Sequence, residues 1–281
     1  MAKKYEIITQ KDFTMKEMAA LIDYSLLVPY ASQQEVEKFL KDAKDYEFKV
    51  VFVSNSYIAM AAQALAGSDI TVASVAAFPF GALTPENKAA EVESAIRLGA
   101  GTIDIVTNIG ALKSADWDLS YRDMASCAEA AHKHGIEIKV ILECCYLTRE
   151  EIVKGCQIAK KAGLDYVKTS TGFGTSAAVL GDVKLMKATV GEDMGVKAAG
   201  GIRTYAETLA MIEAGANRIG TDGAGIKYYG DSMIINPRGE IIVSAAKNKE
   251  CSISAEISVM ELKEFRKKFP VLKEADSFNI T

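Results

Sequence analysis

The sequence predicts a closed, eight-stranded (β/α)8 TIM barrel with an atypical C-terminal extension. Three observations predict it. Short β-branched runs alternate with amphipathic stretches, giving eight strand candidates in series. The runs are almost continuously apolar, as strands of a parallel sheet covered on both faces are. No Gly-x-Gly-x-x-Gly follows the first run, which argues against an open dinucleotide-binding sheet. At 281 residues the chain is long enough for such a barrel.

The strand candidates are residues 20–24, 49–54, 70–75, 102–107, 137–142, 166–169, 196–198 and 218–221. Helix signals fill the gaps between them. Thr84 precedes Pro85 as an N-cap precedes a first-turn proline, and Thr148-Arg-Glu-Glu reads as a capping box. Gly99, Gly135, Gly163 and Gly215 each follow an amphipathic stretch, where a left-handed helix end is expected.

Composition narrows the partners. Hydrophobic residues at 49% and charged residues at 25% suit a soluble globular chain. A net charge of −4 gives no electrostatic reason to expect nucleic acid. No apolar run approaches the roughly 20 residues of a membrane helix, and the N-terminus lacks the hydrophobic stretch of a secretion signal. Five cysteines, odd in number and without paired metal-site spacing, fit free thiols in a reducing cytoplasm. The expected partner is a small-molecule substrate, and the expected assembly a homodimer.

Two lysines carry the chemistry. Lys168 and Lys197 each close a β-branched run that opens into a Gly/Thr/Ser loop. An ammonium at the end of a buried strand is costly unless it is paired or used. Two on adjacent strands, partly desolvated, lower each other's pKa, and a neutral lysine attacks carbonyls. Asp104 lies within the apolar run Thr-Ile-Asp-Ile-Val, where it must face a polar cavity or a cation. Active sites of these barrels lie at the carboxyl ends of the strands, and these residues fall at or near those ends.

At these positions the chain resembles the 2-deoxyribose-5-phosphate aldolase family, class I aldolases with a (β/α)8 fold. The matching segments are Phe78-Pro-Phe-Gly-Ala, Ile103-Asp-Ile-Val-Thr-Asn-Ile-Gly-Ala-Leu-Lys, Glu143-Cys-Cys-Tyr-Leu-Thr, Val167-Lys-Thr-Ser-Thr-Gly-Phe-Gly-Thr and Gly195-Val-Lys-Ala-Ala-Gly-Gly-Ile-Arg-Thr. They recur in order over roughly residues 15–225. The resemblance implies a Schiff base on Lys168, a pKa-perturbing role for Lys197, and proton relay by Asp104 with Lys197. It implies reversible cleavage of 2-deoxyribose 5-phosphate to acetaldehyde and glyceraldehyde 3-phosphate without metal or organic cofactor. It further implies substrate contacts at Asp23, Thr169, Gly172, Gly200, Gly201, Gly220 and Asp222, with the phosphate held largely by backbone.

The chain departs from the family in the last loop, which usually reads Gly-Thr-Ser-Ser-Gly and here reads Gly220-Thr-Asp-Gly-Ala. A carboxylate at Asp222 repels phosphate. This leads to an expected shift toward non-phosphorylated aldehydes or deoxyribose, against a second expectation that Asp222 turns away or pairs with Arg203 or Lys227. Asp23-Tyr24-Ser25 replaces a frequent Asp-His-Thr, and Ala199 a frequent Ser. Phe52 stands in place of a common Cys and makes the acetaldehyde side bulkier. A catalytically silent barrel with a binding or assembly role is the third expectation.

Residues 1–228 are expected to form the barrel and 229–281 a separate extension. The extension reads as two strands around a Pro-Arg-Gly turn followed by a basic helix from Val259. It resembles the C-terminal end of the nitrilase (carbon–nitrogen hydrolase) superfamily, whose catalytic Glu, Lys and Cys lie upstream of this portion. None of that region can be matched here, so no amidase activity is expected. His132 and His134 are two residues apart on a helix and do not share a face, so no metal site is expected there. Glu143 is expected to join the polar network inside the barrel, and Cys144, Cys145 and Trp117 to serve packing.

Overall fold

The computed structural model describes residues 4–10, 12–222, 233–236, 241–244, 254–256 and 258–268. Side-chain caps set where several helices begin. Thr14, Ser32, Thr148 and Thr204 each form a reciprocal capping box with the glutamate three residues on, satisfying backbone N–H groups that have no helical partner. Thr84 caps the helix whose first residue is Pro85, and Gly163 ends another at φ 84°.

The helices are α1 (Met15–Leu21), α2 (Gln33–Asp45), α3 (Ile58–Ala64), α4 (Pro85–Arg97), α5 (Ile109–Lys113), α6 (Trp117–His132), α7 (Arg149–Ala162), α8 (Leu180–Val190), α9 (Tyr205–Glu213) and α10 (Val259–Lys268). The strands β1 (Ile22–Leu26), β2 (Val50–Val53), β3 (Thr71–Ala76), β4 (Thr102–Val106), β5 (Glu137–Ile141), β6 (Tyr166–Lys168), β7 (Gly195–Ala199) and β8 (Arg218–Asp222) pair in sequence order, all parallel. The β1–β8 pairing, with Asp23 opposite Gly220, closes the barrel.

The first strand begins two residues later than its apolar run suggests. The Thr14–Glu17 capping box starts a helix that carries through Ala20 and Leu21, so only Ile22 onward is free to pair. Tyr24 on β1 stacks on Phe39 of α2 and on Phe48, with centroids 4.5 and 4.4 Å away, and so faces the helical layer.

The main core lies between strands and helices, where Val36, Phe39, Val51, Ile103, Ile105, Met124, Val140, Val167, Val196 and Ile219 pack together. Inside the barrel a small apolar group, Phe52, Ala73 and Val75, lines the β2–β3 side. The N-terminal segment lies across the lower end: Tyr5 packs edge-on against Tyr166, centroids 4.9 Å apart, and its N–H donates to the Glu192 carbonyl.

One buried ion pair lies between α4 and α6. Lys88 and Asp123 are fully buried, with Lys88 Nζ 2.6 Å from Asp123 Oδ1 and donating to the Val106 carbonyl, while Asn108 N–H donates to Asp123 Oδ2. The pair thus pins the carboxyl end of β4. Lys88→Met or Asp123→Leu alone is expected to cost about 3–5 kcal/mol, because each strands a buried charge; the double variant should recover most of it. Chemical denaturation of the three variants measures this.

The chain divides into two compact units, residues 1–224 and 225–281. In the second, β9 (Met233–Ile235) and β10 (Ile241–Ser244) pair antiparallel and α10 follows; the Pro-Arg-Gly stretch between the two strands lies outside the described residues. The shortened last barrel helix over 223–229, Lys227, Cys251 and the ending at 269–281 lie outside the described residues. No helix among the described residues is long and apolar enough to cross a membrane.

Candidate active site

Strand alternation sends every second side chain into the barrel, and a closed barrel brings residues far apart in sequence face to face. Lys168 ends β6, and Lys197 is its direct partner on β7. Asp104, in the middle of β4, reaches both: its Oδ2 accepts from Lys168 Nζ at 2.9 Å and from Lys197 Nζ at 2.7 Å. Asp104 and Lys197 are fully buried and Lys168 is 4% exposed.

The cluster extends further. Asp23 is also fully buried, with Oδ2 2.6 Å from Lys197 Nζ. Its Oδ1 accepts from Arg218 Nε at 2.7 Å. Lys139 on β5 donates to Thr102 Oγ1 at 2.6 Å, lies 3.0 Å from a Glu137 carboxylate oxygen, and stands 3.8 Å from Asp104 Oδ1. Four cationic side chains therefore surround two fully buried carboxylates in one compartment.

This arrangement sets the protonation states. Burial works against the Asp104 carboxylate, but the ammonium groups of Lys168, Lys197 and Lys139 outweigh it and hold its carboxyl below the usual range. Asp23 is held low in the same way: Lys197 and Arg218 overcome burial. Burial pushes Lys197 down, Asp104 and Asp23 pull it back, and Lys168 and Lys139 push it down again, leaving it at about 8. For Lys139 the carboxylates of Asp104, Asp23 and Glu137 outweigh burial, and its pKa is raised.

The other residues singled out from the sequence take different places. Asp23 sits deep in the charged cluster. Thr169 is fully buried and knits β6 to β7, accepting from Ala199 N–H at 3.1 Å and donating to the Ala199 carbonyl at 3.2 Å. Gly220 lies within β8 instead of in the loop beyond it; a Cβ there would meet Ala199 Cβ at 2.8 Å and Lys197 Cε at 3.2 Å, so its bareness makes room for the lysine stem.

Gly172, Gly200 and Gly201 lie at the rim with φ of 91°, 92° and 72°, in the left-handed region that disfavours side chains. A Cβ on Gly201 would also come within 2.6 Å of Ala177 Cβ. Asp222 ends β8 opposite Ser25 in register; its side chain lies outside the described residues.

Lys139 and Arg218 were not singled out, although the pattern that flags Asp104 also flags Lys139: a charge in the apolar run Glu-Ile-Lys-Val-Ile. Arg218 opens its strand, where a charge is ordinary, and only barrel closure brings it to Asp23. Glu143 faces the loop after β6 instead of joining the lysines. It is 1% exposed, adopts φ 57°, and accepts from the Thr171 N–H at 3.1 Å and from the Thr171 hydroxyl.

Cys144 contacts Met186 on α8, and Cys145 turns toward Glu143. His132 lies 3.0 Å from Asp165. Trp117 starts α6, packs on the core and carries the Lys154 ammonium 5.3 Å from its ring centroid.

A closed parallel barrel whose interior holds paired lysines around one shared carboxylate has the makings of a carbonyl-condensing lyase. The chain belongs to the DeoC/LacD family of aldolases, whose profile matches residues 13–228. It is 53% identical over 200 residues to a deoxyribose-phosphate aldolase from Streptococcus sanguinis, covering 71% of this chain and 90% of the relative. A deoxyribose-phosphate aldolase from Aciduliprofundum boonei is 49% identical, with 73% and 92% covered.

Among solved structures, a putative deoxyribose-phosphate aldolase from Coccidioides immitis superimposes with a TM-score of 0.72 at 33% identity, covering 77% of this chain and 86% of that one. The tetrameric deoxyribose phosphate aldolase from Aeropyrum pernix gives 0.69 at 29% identity, with 74% and 88% covered. A carbon-nitrogen hydrolase profile matches residues 206–267. That likeness begins well before residue 229 and includes β8.

Proposed function

We propose that the chain reversibly cleaves 2-deoxy-D-ribose 5-phosphate into acetaldehyde and D-glyceraldehyde 3-phosphate through an imine on Lys168. The observation that supports this reading best is the single Asp104 oxygen shared by Lys168 and Lys197. A proton leaving Lys168 passes through it to Lys197, which the surroundings hold at about 8 and therefore ready to exchange protons near neutrality.

The neutral Lys168 amine adds to the C1 carbonyl of the open-chain sugar, and loss of water gives an iminium. The C2–C3 bond then breaks: its electron pair moves into the iminium to form an enamine, and the C3 hydroxyl passes its proton to the Asp104–Lys197 relay as glyceraldehyde 3-phosphate departs. A proton delivered by the Asp104–Lys197 pair adds to C2, and water releases acetaldehyde from the lysine. Asp23, itself held by Arg218, keeps the Lys197 ammonium in place. Gly200 and Gly201 supply rim backbone for the phosphate.

Asp222 favours a second reading on the same chemistry. It stands at the end of β8, within the stretch that both family profiles match, where the aldolase pattern has a serine. A carboxylate there weakens phosphate binding and favours unphosphorylated deoxyribose or simple aldehydes. Turnover of 2-deoxyribose 5-phosphate against 2-deoxyribose decides between them. The first reading expects the phosphate ester to be strongly preferred in kcat/KM, and the second expects near parity. Absence of turnover on both, beside an active control aldolase, would overturn the two together.

We further propose a homodimer as the assembly; the Aeropyrum pernix relative is described as a tetramer. A cytoplasmic setting is proposed on the four described cysteines, Cys127, Cys144, Cys145 and Cys156, all free thiols. The extension, proposed to begin near residue 229, is assigned no catalytic part.

A further inference from the structure

The charged cluster has an excess of cations that its carboxylates do not match. Lys139, Lys168, Lys197 and Arg218 surround Asp23 and Asp104, and Glu137, which pairs with Lys139, stands at the edge with its side chain 30% exposed. No water-like dielectric compensates, since Lys139, Lys197, Asp23 and Asp104 are all buried to 1% exposure or less.

On the β2 side of this compartment lies one aromatic ring. Phe52 is fully buried, and its ring centroid is 4.0 Å from Lys197 Nζ, 5.7 Å from Lys168 Nζ and 5.9 Å from Lys139 Nζ. An aromatic face carries negative potential and attracts a cation within about 6 Å, most strongly where both are desolvated. All three ammonium groups fall inside that range, with Lys197 at close contact.

We propose that Phe52 is a positioning residue of the lysine cluster: its ring face supplies the negative potential that the two carboxylates leave short, and favours Lys197 as an ammonium in the buried barrel interior. The groups facing Lys197 are Asp23 from β1, Asp104 from β4, Lys139 from β5 and Lys168 from β6, with Arg218 of β8 behind Asp23. The carboxylates and the ring favour the charged form; the two lysines and burial oppose it. The ring thus sets how much of Lys197 is charged near neutrality, and with it the state in which Lys197 enters the relay through Asp104. This role in proton relay rests on the reaction proposed above, whereas the charge state of Lys197 does not.

The test replaces Phe52 in the full chain with 4-fluoro-, 3,5-difluoro- and pentafluorophenylalanine, which drain the ring face progressively while nearly keeping its shape, and with leucine. Lys197 is followed by ¹³Cε NMR titration, its resonance assigned by its disappearance in Lys197→Met. The midpoint is expected to fall stepwise with fluorination, by about half a pH unit to one unit across the series, because a weaker face favours the neutral amine. Phe52→Leu should shift it in the same direction. A midpoint that stays put across the fluorinated series would overturn the proposal, whatever the leucine variant does. The readout needs no turnover, so an inactive protein that still shows the stepwise fall would sink the proposed reaction alone.

Discussion

Lys168→Arg is expected to lower aldolase turnover by on the order of 10⁴-fold or more, because arginine stays charged in proteins and cannot form an imine. The variant keeps a cation near Asp104, so the fold should survive, as circular dichroism would show. Borohydride reduction in the presence of acetaldehyde should label the native protein on the peptide containing Lys168 and leave the variant unlabelled. Labelling that falls on Lys197 instead, or full activity in the variant, would reassign the nucleophile. The roles are separable because the two lysines differ in setting. Lys168 ends its strand at 4% exposure, toward the rim, while Lys197 is fully buried between two carboxylates.

Asp104→Asn should act on catalysis and on stability at once. Loss of the shared acceptor interrupts proton transfer between the lysines, and kcat/KM is expected to fall by roughly 10²–10⁴-fold. The same change leaves buried ammonium groups short of a counter-charge, with an expected cost of about 3–5 kcal/mol.

The pH dependence identifies the cause. In the native chain the depressed Asp104 carboxyl contributes stability that is complete above the free carboxyl range, near pH 4, and is lost as the pH falls through its lower folded value. In the variant that contribution is gone. Lys197, already at about 8, moves lower still. Between that value and the roughly 10.4 of a free lysine, the unfolded chain binds more protons than the folded one, so stability rises with pH. The variant should therefore gain more stability than the native chain between neutrality and pH 10. Parallel curves from denaturation across that range would contradict the account.

Much of this molecule is legible in its sequence. The alternating apolar runs and helix caps identified the barrel, and Lys168, Lys197 and Asp104 stood out because a charge inside a buried strand needs a reason. The same rule holds for Lys139, a charge inside the apolar run of β5. Arg218 gave no such warning, since a charge at the start of a strand is ordinary. The helix at Met15–Leu21 was hidden because its residues are as apolar as the strand that follows; the Thr14–Glu17 capping box decides between them. Glu143 was visible as an acidic residue after β5, but its backbone conformation turns it to the Thr171 loop.

Local sequence alone carries the fold class, the order of the strands and the chemical type of the reacting side chains. These depend on local periodicity and on the cost of burying charge, which neighbouring residues express. Tertiary structure decided which charges meet. Asp104 lies 64 residues from Lys168 and 93 from Lys197, and one of its oxygens serves both. Arg218 reaches Asp23 across 195 residues because β8 closes on β1. Phe52 faces three ammonium groups because β2 lines the same narrow interior. Strand alternation states which side of a strand a residue takes, while only closure of the barrel states what stands opposite it.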